Sequence, residues 1–377
     1  MKTVLVITKA ISNAGDYLVT KCLQDMVKYL FAKDNIKISY KNGLSYEGNF
    51  NRPDLIVLGG GPLYDNKLLE RSAFPLRDYL INANCPICIF GSGWYGKSAS
   101  DQSVYSYQFT PEVFEFLNTI SNKDRGFLGC RDAVTQRVLK NNGLCKVLMT
   151  GCPAWYNFEF LDHTDFAPHV KSDPQIIFIS DPGITKVPEE QIIRATQAIE
   201  LIKMVKRKFP LAKLCFTFNN GIETKYSTIC NNYIKCFLEE KGIEYLDIRG
   251  TWEGFKNYDV ADLHIGFRVH SHIYCLSHRI PSVLIEEDAR GFGVNETLGL
   301  PGIPGYDITG KEVLNPYASL HAAEILDELI GGGGGGVSVE ECFFHHEKYL
   351  LSTSGSQLIK IERWILLSLL IYSAKEI

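Results

Sequence analysis

Apolar runs alternate with amphipathic segments along most of this chain, and that alternation is what most narrows its fold. "KTVLVIT" (2–8) reads as a strand, and "GDYLVTKCLQDMVKYLF" (15–31) follows with apolar residues at helical spacing. "KISYK", "DLIVLGGG", a helical segment near 75–84, "PICIFGSGW" and another helical segment near 111–121 continue the series. "GFLGC" and "KVLMTG" then flank the helix "DAVTQRVLKNNG". Strands that lack polar alternation are buried on both faces, and strands separated by helices pair in parallel. The pattern therefore predicts a parallel sheet covered by helices on both sides.

The series restarts after the polar stretch "LDHTDFAPHVKSDP". It runs through "QIIFIS", a long helix over 188–208, "KLCFTF", a helix near 225–240, "IEYLDI", "ADLHIG" and "SVLIEE". At about 150 residues per domain, 377 residues suit two domains. The expected organisation is an α/β domain over 1–170, a second α/β domain over 171–345, and a cleft between them. "GGGGGG" at 331–336 reads as a flexible tip or linker. The apolar C-terminal helix within 346–377, "QLIKIERWILLSLLIYSAKEI", is expected to pack back on the first domain, with peripheral membrane contact as the alternative.

A net charge of −4 gives no reason to expect nucleic acid, so an anionic ligand has to be held by a few placed cations. Eleven cysteines, an odd number scattered through apolar segments, read as reduced thiols rather than a disulfide framework. Cys85 and Cys88 form a C-x-x-C, but no second pair follows at zinc-site spacing. The N-terminus lacks the apolar core and cleavage site of a signal peptide, and no stretch approaches the roughly 20 apolar residues of a membrane span. These features point to the cytoplasm.

In open parallel sheets ligands lie beyond the carboxyl ends of the strands, and here the polar and glycine-rich motifs cluster at those ends. "ISNAGDYLVT" places Asn13, Gly15 and Asp16 in the first strand–helix loop, where Asp16 either caps the helix or takes a proton from a ligand hydroxyl. "LGGGPLYDN" carries Gly60 and Gly61, whose backbone N–H groups are open to a ligand or to a tight domain contact. It is neither a P-loop nor a dinucleotide fingerprint. "FGSGWYGK" offers Trp94 and Tyr95 for stacking on a sugar ring. In "GCRDAVTQRVL", Asp132 suits a helix cap, while Arg131 opposes the helix dipole unless an anion sits there.

"GFRVHSHIYCLSHRIPSVLIEEDARG" (266–291) places Arg268, His270 and His272 between a buried strand and a helix. A helix N-terminus attracts anions, and Arg268 adds a forked donor for phosphate or carboxylate. His270 is the residue there suited to proton donation near neutrality, and a neighbouring anion would raise its pKa. A metal shared by His270 and His272 is disfavoured, because residues two apart on an extended chain point apart. Capping or core histidines remain the structural alternative. Glu286, Glu287 and Asp288 after the next strand either bind ligand hydroxyls or solvate a loop, with solvation the better expectation.

Taken in order, "NAGD" (13–16), "LGGGPLYDN" (58–66), "RDAVTQRVL" (131–139) and "RVHSHIYCLSHRIPSVLI" (268–285) resemble the polysaccharide pyruvyl transferase family. The resemblance implies two Rossmann-like domains facing a cleft, as in the B-type glycosyltransferases. It also implies transfer of pyruvate from phosphoenolpyruvate onto a sugar or lipid-linked oligosaccharide as a ketal, in the service of envelope polysaccharide, at the inner face of a membrane where the acceptor is lipid-linked. The implied roles make His270 and Asp16 catalytic, the first as acid. Arg268, Arg131, His270, Ser271 and His272 fall on the donor side, and Asn13, Gly15, Asp16, Gly60, Gly61 and Trp94 on the acceptor side. No metal and no cofactor beyond the phosphoenolpyruvate co-substrate is expected. A nucleotide-sugar glycosyltransferase and a non-catalytic glycan- or anion-binding subunit are the competing readings.

Overall fold

The structure, a computed structural model, describes residues 2–32, 35–42, 52–69, 77–97, 100–123, 126–159, 170–307, 313–315 and 318–331. Its first half alternates β1 (Lys2–Thr8), α1 (Ala14–Leu30), β2 (Ile36–Asn42), β3 (Leu55–Gly59), β4 (Pro62–Tyr64), α2 (Arg77–Asn82), β5 (Ile87–Trp94), α3 (Asp101–Ser106), α4 (Pro111–Asn122), β6 (Phe127–Cys130), α5 (Ala133–Asn141) and β7 (Val147–Met149). The strands pair in parallel in the order β2-β1-β3-β5-β6-β7, with β4 added to β5. Successive strand residues point to opposite faces, and here both faces are apolar. Leu5, Ile7, Ile56, Leu58, Ile87 and Ile89 face α4 and α5, whereas Val4, Val6, Leu55, Val57, Cys88 and Phe90 face α1.

The second half runs β8 (Ile176–Ser180), α6 (Pro188–Lys208), β9 (Lys213–Phe218), α7 (Thr228–Lys241), β10 (Glu244–Asp247), β11 (Leu263–Gly266), α8 (Val269–Ser277), β12 (Ser282–Glu286), α9 (Ala289–Leu298), β13 (Ile303–Pro304) and α10 (Ala318–Gly331). Its parallel sheet has the order β10-β9-β8-β11-β12-β13, so the strand order reverses between β8 and β11. Such a reversal splays the loops apart and opens a crevice at the carboxyl ends of the two strands. Ile177, Ile179, Phe216 and Phe218 pack on one face against α6 and α7.

A further apolar cluster joins the two halves. Ala14, Leu18 and Val19 of α1 pack with Ile273 and Tyr274 of α8, and with Cys152 and Ala154. At a second junction α9 lies on α5: Ala133 N donates to Thr297 Oγ1 (2.8 Å), and Arg137 pairs with Glu296 (2.5 Å). The expected doubly wound elements are all present. The helices α3, α9 and α10 had no clear sequence signal, and α9 matters most because it seals the cleft. The expected boundary near 170 adjoins 160–169, and the C-terminal helix within 346–377 lies wholly beyond 331; both stretches are outside the described residues. No described helix is long and apolar enough to cross a membrane.

Candidate active site

The cleft is built at the β8/β11 reversal. Gly266 ends β11 against Ser180, and a Cβ on Gly266 would lie 2.3 Å from Ser180 Oγ, so glycine lets the hydroxyl sit under the turn. Ser180 Oγ there accepts the N–H groups of Phe267 (3.1 Å) and Arg268 (3.2 Å). The next residues open α8. Among the described residues no side chain caps this helix, so its first-turn N–H groups, which lack intrahelical acceptors, form an anion-attracting end. Arg268 extends its fork to Asp181, with Nε to Oδ1 and Nη2 to Oδ2 both at 2.7 Å, and Nη2 also donates to Pro182 O (2.6 Å).

His270 lies in the first turn of α8 and meets α1 of the other half. Its Nε2 is buried and makes no hydrogen bond among the described residues. Opposite stands Arg131, 3% exposed, delivered by the end of β6. Its Nε and Nη2 are likewise buried without a hydrogen bond, and Nε is 3.5 Å from Asp132 Oδ2. Gly93 makes room for this guanidinium, since a Cβ there would lie 2.7 Å from Nη2. Arg290, from α9, completes a set of three arginines; it pairs with Asp288 and lies over the Tyr95 ring (4.8 Å).

This environment sets the protonation states. Burial, then Arg131, Arg290 and Arg268, push His270 down to about 3. Burial raises Asp16 to about 6, against the pull of Lys9, Arg290 and Arg268. The other cleft carboxylates are committed. Glu287 pairs with Arg194 and accepts from Gly183 N, and Asp288 caps α9 and holds Arg290. Among the described residues no hydrogen bond holds the Asp16 carboxylate, so it is the cleft group suited to take a proton.

A family model, polysaccharide pyruvyl transferase, matches residues 13–288, which span the cleft from the Asn13 cap to the Asp288 cap. The chain belongs to this family. It is therefore a transferase of polysaccharide biosynthesis. No curated protein sequence matches it. In fold it is similar to the UDP-GlcNAc 2-epimerase of Neisseria meningitidis bound to UDP-GlcNAc (TM-score 0.54, 9% identity, 93% of this chain and 100% of that one). It is also similar to a UDP-forming trehalose-phosphate synthase of Burkholderia xenovorans (TM-score 0.51, 11% identity, 99% and 100%). At such identities the likeness shows the fold alone, two Rossmann-like domains as in the B-type glycosyltransferases.

The structure of this pyruvyl transferase family member brings Asn13, Asp16, Arg131, Arg268 and His270 together around one cleft, with Gly15 packed beneath. Asn13, not Asp16, caps α1: its Oδ1 accepts from Gly15 N (2.7 Å), which leaves Asp16 free to face the cleft. Other expected contacts are placed elsewhere. His270 and His272 lie on a helix, not an extended chain, and His272 points inward, where its Nδ1 meets Ser282 Oγ (2.7 Å). Ser282 also meets His264, whose Nε2 meets Ser180 (3.0 Å), so His272 belongs to a buried polar chain beneath the cleft. Ser271 is buried as well. Trp94 is 3% exposed in the first core with its edge to Tyr107, so it presents no face to a sugar. Gly60 and Gly61 adopt φ of +83° and +75° as a turn, Gly60 N donates to Phe90 O (3.3 Å), and Pro62 lines the cleft. Of the acidic run, Glu286 is buried and accepts from Asn295 (2.8 Å) instead of solvating a loop.

Several contributors were missed in the sequence: Asp181, Asn219, Glu287's role as a pairing group, and Arg290. "SDPG" after β8 and "FNNG" after β9 are polar, glycine-bearing strand ends, the same signal that marked the other motifs. Arg290 falls within the same kind of segment, "EEDARG" after β12, but its place in α9 is what turns it into the cleft.

Gly15 provides a steric test. Its place in the first turn of α1 tolerates alanine, which favours helix by up to about 1 kcal/mol. A Cβ there, however, would lie 2.1 Å from His270 Nδ1 and 2.9 Å from Asn13 Oδ1, the cap of α1, so the imidazole bears the larger clash. Gly15→Ala is expected to fold, by circular dichroism, while losing most of its transferase activity through displacement of the imidazole. Retained activity would mean that the ring can move without consequence.

Proposed function

We propose that this transferase moves pyruvate from phosphoenolpyruvate onto two hydroxyls of one sugar as a ketal and releases phosphate. The observation that carries the reading is Arg131: a buried guanidinium whose Nε and Nη2 make no hydrogen bond among the described residues and whose one ion pair, to Asp132, is long at 3.5 Å, beside His270 Nε2, likewise without a hydrogen bond, and the N-terminal end of α8. Buried donors left without partners are costly, and a small dianion or trianion would satisfy them together.

The chemistry balances with groups of this chain. Protonated His270 gives its proton to the methylene carbon, and the arginines offset charge on the phosphate and carboxylate as C2 becomes electrophilic. A sugar hydroxyl oxygen bonds to C2 and its proton passes to Asp16. The second hydroxyl then bonds to C2 as the C2–O bond to phosphate breaks, and its proton leaves with phosphate. The proton held by Asp16 returns to solvent and His270 is recharged.

The direct test is thermal unfolding with phosphoenolpyruvate, phosphate and UDP in parallel. A ligand at about 100 times its Kd stabilises the folded state by roughly 2.7 kcal/mol, which moves the midpoint by a few degrees. Stabilisation by phosphoenolpyruvate, followed by phosphate release with a sugar acceptor, is the expected result. Stabilisation by UDP alone would replace this reading with a nucleotide-sugar glycosyltransferase. Binding of phosphoenolpyruvate without release across acceptors would favour a silent binding subunit.

A further inference from the structure

Beneath Arg268 runs a buried hydrogen-bond chain whose polarity can be deduced. Asp181 Oδ1 accepts from Arg268 Nε (2.7 Å) and from both Asn219 N and Asn219 Nδ2 (3.1 Å each). A carboxylate only accepts, so the Asn219 amide must present its nitrogen to Asp181 and its oxygen to Ser271. Ser271 Oγ donates to that oxygen (3.2 Å) and must then accept, which it does from Tyr258 OH (3.1 Å). Tyr258 has one proton to give, so when that proton serves Ser271 it accepts from Thr217 Oγ1, whose hydroxyl lies 2.6 Å away and prefers this short contact to Ile179 O at 3.4 Å. Every donor points towards the carboxylate that grips the Arg268 fork.

The links come from separate elements: Thr217 from β9, Tyr258 from the 3-10 helix Glu253–Val260 before β11, Ser271 from α8, and Asn219 from the loop after β9. All are buried, and Tyr258 is fully so. None of Thr217, Tyr258 and Ser271 lines the cleft. Asn219 does, and its carbonyl also accepts Ala14 N of α1 (3.0 Å).

We propose that Tyr258 and Ser271 are positioning residues for the donor site: they hold Asn219 in one amide orientation, so that Asp181 fixes the Arg268 guanidinium against the bound anion. The inference rests on the reading of Arg268 as a donor contact. Without the tyrosine hydroxyl, Ser271 loses its donor and can turn its own proton away. Asn219 is then free to rotate, and its oxygen repels Asp181. The fork loosens although no residue touching the ligand has changed.

The test is a double-mutant cycle, read as Kd for phosphoenolpyruvate and, in parallel, for inorganic phosphate. Tyr258→Phe keeps the ring and removes the hydroxyl. It should weaken binding about 2–10-fold, the scale of one hydrogen bond, with the protein folded at the assay temperature. In an Arg268→Lys background the same change should have no further effect, because the group being positioned is gone. Equal losses in both backgrounds would overturn the proposal, as would no loss in the wild-type background. Should Arg268→Lys fail to fold, Ser271→Ala against Ser271→Thr decides: weakened binding restored by the retained hydroxyl supports positioning, and equal weakening overturns it. A wild-type protein that binds phosphate but not phosphoenolpyruvate would sink the pyruvyl-donor reading alone, and the phosphate cycle would still decide the role of the chain.

Discussion

A His270→Gln variant is expected to bind phosphoenolpyruvate within a few-fold of the wild type and to turn over about 10²–10⁴ times more slowly, the usual contribution of a general acid. Glutamine fills similar space and stays polar, but it cannot deliver a proton to carbon. The pH dependence sharpens the expectation. Burial and three arginines hold His270 near 3, so the imidazole is neutral at pH 7 until anionic groups lie between it and the arginines. The donor's phosphate and carboxylate oppose the arginine contributions and bring the value back up. Acid catalysis then fails as pH rises past that restored value, while Asp16, at about 6, must be ionised to take a hydroxyl proton. The same anion offsets the pull of Arg290 and Arg268 on Asp16, so the rate should rise through about pH 6 or somewhat above and fall on the alkaline side. His270→Gln should abolish the alkaline limb and Asp16→Asn the acidic one. An alkaline limb that survives His270→Gln would assign the acid to another group.

The second large effect concerns Arg131. Arg131→Met should eliminate stabilisation by phosphoenolpyruvate while leaving the ligand-free melting temperature unchanged or higher. A buried guanidinium whose Nε and Nη2 make no hydrogen bond costs stability, and an unbranched apolar side chain removes that cost while giving up only a long ion pair, 3.5 Å, to Asp132. Asp132 tolerates the loss. Its carboxyl is already raised by burial, and without the arginine it can take a proton while Oδ1 still caps α5 at Thr135 N (2.7 Å). Charge-assisted hydrogen bonds are worth about 1.5–3 kcal/mol each, so losing one weakens the donor about 10–150-fold and losing two weakens it further. Calorimetry measures the affinity and thermal unfolding the stability. A large drop in melting temperature with the ligand shift intact would make Arg131 a structural cation. Arg268 is a poorer probe of binding, because its removal strands buried Asp181 and costs about 3–5 kcal/mol whatever the ligand.

The order of residues determined the architecture. Strands such as "VLVI" and "LIVL" can satisfy two apolar faces only between layers of helix, and the helices between them force parallel pairing. It also located the chemistry along the chain, because polar and glycine-rich segments at the ends of such strands have no place in the core. Arg131, Arg268, His270 and Asp16 were all marked in this way. The tertiary structure decided which of those strand ends meet and which way each side chain turns. His270 and His272 carry the same functional groups, yet α8 lays one against Gly15 at the cleft and turns the other onto Ser282. Trp94 and Tyr95 are neighbours, and the strand sends one into the core and the other, half-exposed, under Arg290. Asp181 and Arg290 gained their importance from the packing of β8 beside β11 and of α9 on α5, which brings together groups far apart in the chain. Periodicity records which face of an element is apolar; partners between elements are chosen by how the packed layers come together, and that choice leaves no local trace.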